Sequence, residues 1–124
     1  MKFDSNLEKK LYAQMKSCTY HPADKIHYIQ ARTYEPDFVY YDEKIIIYIE
    51  VKGRFRDRAE AKKYIDVREC LGKREDLVFV FQNPNTPMPG SRRRKDGSRY
   101  RMRDWAEKNG FDWYTPSTLP KEWL

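Results

Sequence analysis

Thr33-Tyr34-Glu35-Pro36-Asp37-Phe38-Val39-Tyr40-Tyr41, a polar break at Asp42-Glu43-Lys44, then Ile45-Ile46-Ile47-Tyr48-Ile49-Glu50-Val51-Lys52: this stretch decides the reading of the chain. Both flanks are rich in aromatic and β-branched residues, and the polar residues between them make a turn, so the whole reads as a β-hairpin. The second flank is the strongest strand pattern in the sequence. Its run Ile45 to Ile49 does not alternate with polar residues, which predicts burial on both faces. Gly53 ends it.

Outward from the hairpin, a helix is predicted from about Ser5 to Ser17. Ser5-x-x-Glu8 has the form of a capping box, and Leu7, Leu11 and Met15 make an apolar stripe at i, i+4, i+8. Thr19 to Arg32 contains Pro22, and its Lys25 to Gln30 part is a candidate short strand. Downstream, Asp57-x-x-Glu60 opens a second helix that runs to Gly72. Leu77 to Phe81 is a buried strand, and Asn83 to Ser98 is a loop. Arg101 to Asn109 is a short helix closed by Gly110, and Phe111 to Tyr114 is a candidate last strand. Helix, hairpin, helix, strand, helix, strand gives an α/β fold, a mixed β-sheet flanked by helices, in a single domain over residues 1–124.

The pattern [DE]-x-K occurs four times, as Glu8-Lys9-Lys10, Asp42-Glu43-Lys44, Glu50-Val51-Lys52 and Glu60-Ala61-Lys62. Glu8 and Glu60 open helices and Asp42 lies in a turn. Only Glu50 and Lys52 end an apolar strand, where alternation places them on one side and Val51 on the other. Asp37, on the partner strand, brings a second carboxylate. Two carboxylates hold hard divalent ions, which polarise a phosphate and lower the pKa of bound water. A lysine beside them orients that water or offsets transition-state charge. The Val51 carbonyl offers a further oxygen ligand. The competing reading is a plain same-face ion pair of little worth.

With two histidines and two distant cysteines, a zinc site is not expected, so any metal rests on carboxylates. That points to Mg²⁺, with Mn²⁺ able to substitute, in a one- or two-metal site. Cys18 and Cys70 are expected as reduced, partly buried thiols. At 40% hydrophobic and 35% charged, the chain reads as soluble and globular. The longest apolar run is too short for a bilayer, and the opening residues lack an apolar signal region. A cytoplasmic location is therefore expected, with no membrane partner.

The formal charge is +6, and Gly90 to Arg103 holds all of it: Arg92, Arg93, Arg94, Lys95, Arg99, Arg101 and Arg103 against Asp96. A basic segment on a neutral body suggests contact with a polyanion, and arginine suits bidentate phosphate binding. The alternative is a solvated loop. Arg54, Arg56 and Arg58, with Lys52, form a second cluster beside the proposed site. It is either a steering rim for phosphates or the exposed flank of the second helix.

Tyr34-Glu35-Pro36-Asp37-Phe38 followed by Ile49-Glu50-Val51-Lys52-Gly53 resembles the core of the phage endonuclease I family of Holliday-junction resolvases, within the PD-(D/E)xK nucleases. Ser5-Asn6-Leu7-Glu8, Trp105-Ala106-Glu107-Lys108-Asn109-Gly110 and Leu119-Pro120-Lys121-Glu122-Trp123-Leu124 extend the resemblance over nearly the whole chain. It implies a restriction-endonuclease-like core with Glu8, Asp37, Glu50 and Lys52 as catalytic residues. Metal would be held by Asp37, Glu50, Val51 and Glu8. It also implies cleavage of four-way and other branched DNA to 5′-phosphate and 3′-hydroxyl ends, without a small-molecule cofactor. The enzyme would be a homodimer whose N-terminal segments are exchanged. Two features depart from the family: the stretch from Glu8 to Asp37 is shorter, which bears on the exchange, and the segment around Arg92 to Arg94 is enlarged. Glu8 has a second possible role, as the capping-box partner of Ser5. The alternatives in function are a nicking, repair or restriction-like nuclease of the same fold, and a non-catalytic nucleic-acid-binding protein.

Overall fold

The computed structural model describes residues 3, 5–20, 23 and 25–124. Two compact units divide the chain, Met1–Arg32 and Thr33–Leu124. His21 and Pro22 lie outside the described residues.

The first unit contains α1 (Asn6–Gln14), which starts where the Ser5 hydroxyl accepts the Glu8 N–H at 3.1 Å. It stops short of Ser17 because the backbone leaves helical geometry at Met15. None of its residues is buried, so the stripe of Leu7, Leu11 and Met15 faces solvent. The short strand expected at Lys25 to Gln30 does not form. A strand needs a neighbour for its N–H and C=O groups, and no described strand pairs with this one. Ile26 and Ile29 are 93% and 98% exposed there.

The second unit is α/β, a four-stranded mixed sheet in the order β1 (Phe38–Tyr41), β2 (Ile46–Lys52), β3 (Glu75–Phe81), β4 (Trp113–Tyr114). β1 and β2 form the expected antiparallel hairpin, with Phe38 opposite Ile49, and its turn is closed by Asp42 N–H to the Ile45 carbonyl at 3.0 Å. β1 is shorter than the sequence suggests, since pairing begins only after Pro36, which has no N–H to give a ladder. β2 and β3 run parallel through the crossover helix α2 (Arg58–Glu69), and β3 and β4 run parallel through α3 (Met102–Lys108). α2 begins at the Asp57 cap as expected but ends before Gly72, because the Gly72 N–H turns to Glu75 Oε1 to start β3. Gly110, at φ +75°, closes α3 in the left-handed conformation that glycine adopts without steric cost.

Alternation along β3 builds two cores. Leu77, Phe79 and Phe81 face α2 and α3, packing with Phe55, Tyr64, Met102, Trp105 and Phe111. Val78 and Val80 face the other way, with Ile49, and are covered by Tyr40, Ile47, Tyr114, Leu119 and Trp123. Burying each large apolar side chain contributes about 1.5–3 kcal/mol, so the two-sided strands anchor this unit. Cys18 and Cys70 are free, but both are exposed rather than partly buried. Cys70 follows the last turn of α2, outside the face that buries Ala61 and Tyr64. Among the described residues, no helix is long and apolar enough to cross a membrane.

Candidate active site

Glu50 is the one charged side chain that is buried among the described residues, 7% exposed. It lies late in β2, level with Phe79 of β3, on the face that α2 covers. Its Oε1 accepts the Tyr34 hydroxyl at 2.5 Å. Burial pushes its carboxyl up. Tyr34 counters this in part, and Asp37 adds to it by repulsion. The Tyr34 hydroxyl is itself held far above the usual phenol range, first by burial and then by the bond to Glu50.

Asp37 stands one residue before β1. Its Oδ2 accepts the Val51 N–H at 2.8 Å, continuing the hairpin with a side chain where backbone pairing stops. This fixes Asp37 beside Glu50, as the hairpin reading required. Val51 is exposed and its N–H is committed to Asp37.

Lys52 closes the group. Its side chain is only 15% exposed, and Nζ lies 3.8 Å from Glu50 Oε2, on the same side of the strand as expected. Nζ is nearer still to Glu60 of α2, at 3.3 Å, and 5.2 Å from the centre of the Tyr64 ring. Burial works to lower the Lys52 ammonium, but Tyr64, Glu60 and Glu50 outweigh it and hold it above the ordinary lysine value.

Glu8 belongs to the first unit. The sequence leaves it two roles, and the structure removes half of one. The Glu8 backbone N–H is capped by Ser5, yet its carboxylate accepts the Tyr20 hydroxyl, and no described bond returns it to the Ser5 N–H. The reciprocal capping box is therefore not made.

Asp37 and Glu50 fit a hard dication. Their oxygens are the donors that Mg²⁺ and Mn²⁺ prefer, and a positive ion would relieve the Glu50 carboxylate, which burial holds in an unfavourable state. Among the described residues, no group of three or more His, Cys, Asp and Glu is arranged to hold a metal. Magnesium commonly takes one or two carboxylates and fills its shell with water and substrate phosphate, so a pair is a sufficient protein contribution.

The basic residues separate into committed and free. Arg101 chelates Asp104 at 2.9 and 3.0 Å and reaches Asn85 at 3.0 Å, so it shapes the start of α3. Arg58 donates to the Gly90 carbonyl at 3.1 Å, and Arg103 lies over the Trp113 ring. Arg54, Arg92, Arg93, Arg94, Lys95 and Arg99 are exposed, as is Arg56 beside Asp57. The loop is folded: the Arg94 N–H bonds to the Ser98 carbonyl around Gly97, at φ +87°. An open cleft of about 770 Å³ lies against it, lined by Arg93, Arg94, Arg99, Arg101 and Asp96.

Sequence reading missed two residues of this group. Tyr34 was visible only as the opening of a motif, and nothing local marks a hydroxyl that will reach a residue sixteen positions away. Glu60 was assigned wholly to helix capping. No family model and no curated protein matches the chain.

Proposed function

We propose that the chain is a metal-dependent DNA endonuclease that resolves four-way junctions and other branched DNA, acting as a homodimer in the cytoplasm of the cell that holds its DNA. One observation carries this: the only buried charged side chain among the described residues, Glu50, is packed with Asp37 and Lys52 at the end of a strand. A buried ionic group is a poor way to stabilise a sheet, since several kcal/mol of desolvation oppose it. It is a good way to hold phosphodiester chemistry in place. The antiparallel hairpin joined to a parallel strand through α2 supports a restriction-endonuclease-like core.

In this reading Asp37 and Glu50, with the Val51 carbonyl and Glu8, hold Mg²⁺ or Mn²⁺, in one site or two. Bound there, the metal supplies Lewis acidity toward the phosphate and its water. Lys52 offsets charge that develops on the phosphate. Water adds to phosphorus, the 3′ oxygen leaves and takes a proton, and the ends are 5′-phosphate and 3′-hydroxyl. Tyr34 holds one oxygen of Glu50 and leaves the other, beside Lys52, to meet the metal. Arg54, Arg56 and Arg58 flank the site, while Arg92, Arg93, Arg94, Lys95 and Arg99 offer further phosphate contacts. Arg101 serves mainly by holding its loop to α3.

The test compares a synthetic four-way junction with linear duplex, with and without Mg²⁺. We expect Mg²⁺-dependent cutting of the junction in preference to duplex. Asp37→Asn, Glu50→Gln and Lys52→Ala should each abolish cutting and retain junction binding, because phosphate contacts are spread over the basic surface. Equal cutting of duplex would favour a nicking, repair or restriction-like enzyme. Binding without any cutting, indifferent to Asp37 and Glu50, would favour a non-catalytic nucleic-acid-binding protein.

A further inference from the structure

Glu60 sits in the first turn of α2 and its two ends do different things. Its backbone N–H goes to Asp57 Oδ1 at 2.8 Å, an ordinary cap. Its side chain turns back toward the sheet, where Oε1 accepts the Arg56 N–H at 3.1 Å and stands 3.3 Å from Lys52 Nζ. A glutamate in a helix's first turn needs only a backbone N–H or solvent. This one is 14% exposed at the side chain and meets an ammonium that comes from a strand.

The lysine has reason to need it. An ammonium on a four-carbon stem has three rotatable donors and no preferred plane, so one distant carboxylate fixes it poorly. Glu50 lies 3.8 Å away, the long end of an ion pair. Glu60 is closer, and the Tyr64 ring walls a further side. The Glu60 carboxylate is itself held in place by the Arg56 N–H.

We infer that Glu60 is a positioning residue that holds the Lys52 ammonium beside Glu50, tying the first turn of α2 to the end of β2. What the lysine does rests on the nuclease reading; where it is held does not.

The experiment uses Glu60→Gln in the full chain. Glutamine keeps the side-chain length and an oxygen for the Arg56 N–H, but loses the charge. Without metal, the ¹⁵N signal of the Lys52 ammonium, assigned by its loss in Lys52→Arg, should broaden toward a solvent-exposed lysine. With Mg²⁺, single-turnover cutting of a four-way junction should slow by about 10–100-fold, the usual effect of losing a group that orients a reacting one. Junction affinity and melting temperature should stay near wild type. Asp57→Ala, which removes the side-chain cap of α2 and leaves the Glu60 carboxylate and its Arg56 N–H bond in place, should lower the melting temperature yet leave the Lys52 signal and the cutting rate at 25 °C unchanged. Glu60→Asp restores the charge and should recover part of both losses. An unchanged Lys52 signal in Glu60→Gln overturns the inference, and so does an equal slowing in Asp57→Ala. If the wild type cuts no DNA, the nuclease reading falls, and the ammonium signal still decides the role of Glu60.

Discussion

Glu50 makes the second unit less stable than its packing would allow. Its carboxyl is raised, chiefly by burial and then by Asp37, so folding favours the protonated form. The unfolded value is about 4.3. A group whose folded pKa lies above its unfolded pKa contributes stability that is complete below the unfolded value and lost as pH rises through the folded one. Above the unfolded value, without metal, ionising this carboxyl is therefore a net cost to the folded chain. Glu50→Gln removes the charge and keeps an acceptor for Tyr34. We expect it to raise the metal-free melting temperature at pH 7 by roughly 3–6 °C, about 1 kcal/mol, with the gain vanishing below pH ~4. Mg²⁺ should stabilise the wild type more than the variant. Calorimetry across pH, with and without Mg²⁺, reads all of this. A variant that melts at or below wild type at pH 7 would mean that Glu50 is not held against its preference.

At the scale of elements, the arginine loop separates shape from contact. The Arg94 backbone closes the turn around Gly97, whereas the side chains of Arg92, Arg93 and Arg94 are exposed. Replacing those three with alanine should leave the melting temperature unchanged. The slope of log binding constant against log salt should flatten by up to ~2.7 if each meets a phosphate. An intact slope would make the loop a solvated tail. Arg101→Ala should behave in the opposite sense, loosening the start of α3 by removing the grip on Asp104 and Asn85.

The same elements mark what a sequence can tell. β2 was legible because an unbroken apolar run has few alternatives, and Glu50 and Lys52 followed from strand alternation alone. Asp37 followed from the hairpin. The limits of β1 and α2 were less so, because pairing partners and side-chain bonds such as Glu75 to Gly72 set them. Glu60 does open α2 with Asp57, but its side-chain partner was hidden for a physical reason: a capping pattern explains a glutamate completely from local sequence, and nothing local says that a lysine eight residues earlier will come within 3.3 Å. Tyr34 was hidden in the same way.

At the scale of the whole molecule, the first unit leaves apolar surface unused. α1 buries no residue, Leu7, Leu11 and Met15 are open, and Ile26 and Ile29 stand exposed in a segment without regular structure that pairs with no described strand. β1 is an edge of the sheet, with Phe38 and Tyr41 exposed. Isolated apolar residues on a surface are ordinary, but a stripe along a helix and an open edge are surfaces that a second copy can cover. A junction also needs two symmetric cuts, which a twofold dimer supplies. We therefore expect a dimer with composite sites, in which Glu8 of one protomer joins Asp37, Glu50 and Lys52 of its partner. The test mixes chains that each carry one defect, Glu8→Ala and Lys52→Ala, by refolding them together, with tags of different size to prove that mixed dimers form. If sites are composite, both defects fall in one site of the mixed dimer and the other is whole, so a cruciform plasmid is nicked on one strand while either mutant homodimer is inactive. If each site is built within one chain, every site carries a defect and no nicking returns. Proven mixed dimers that fail to nick would remove the exchange or the catalytic role of Glu8, and would leave Asp37, Glu50 and Lys52 where β1 and β2 hold them.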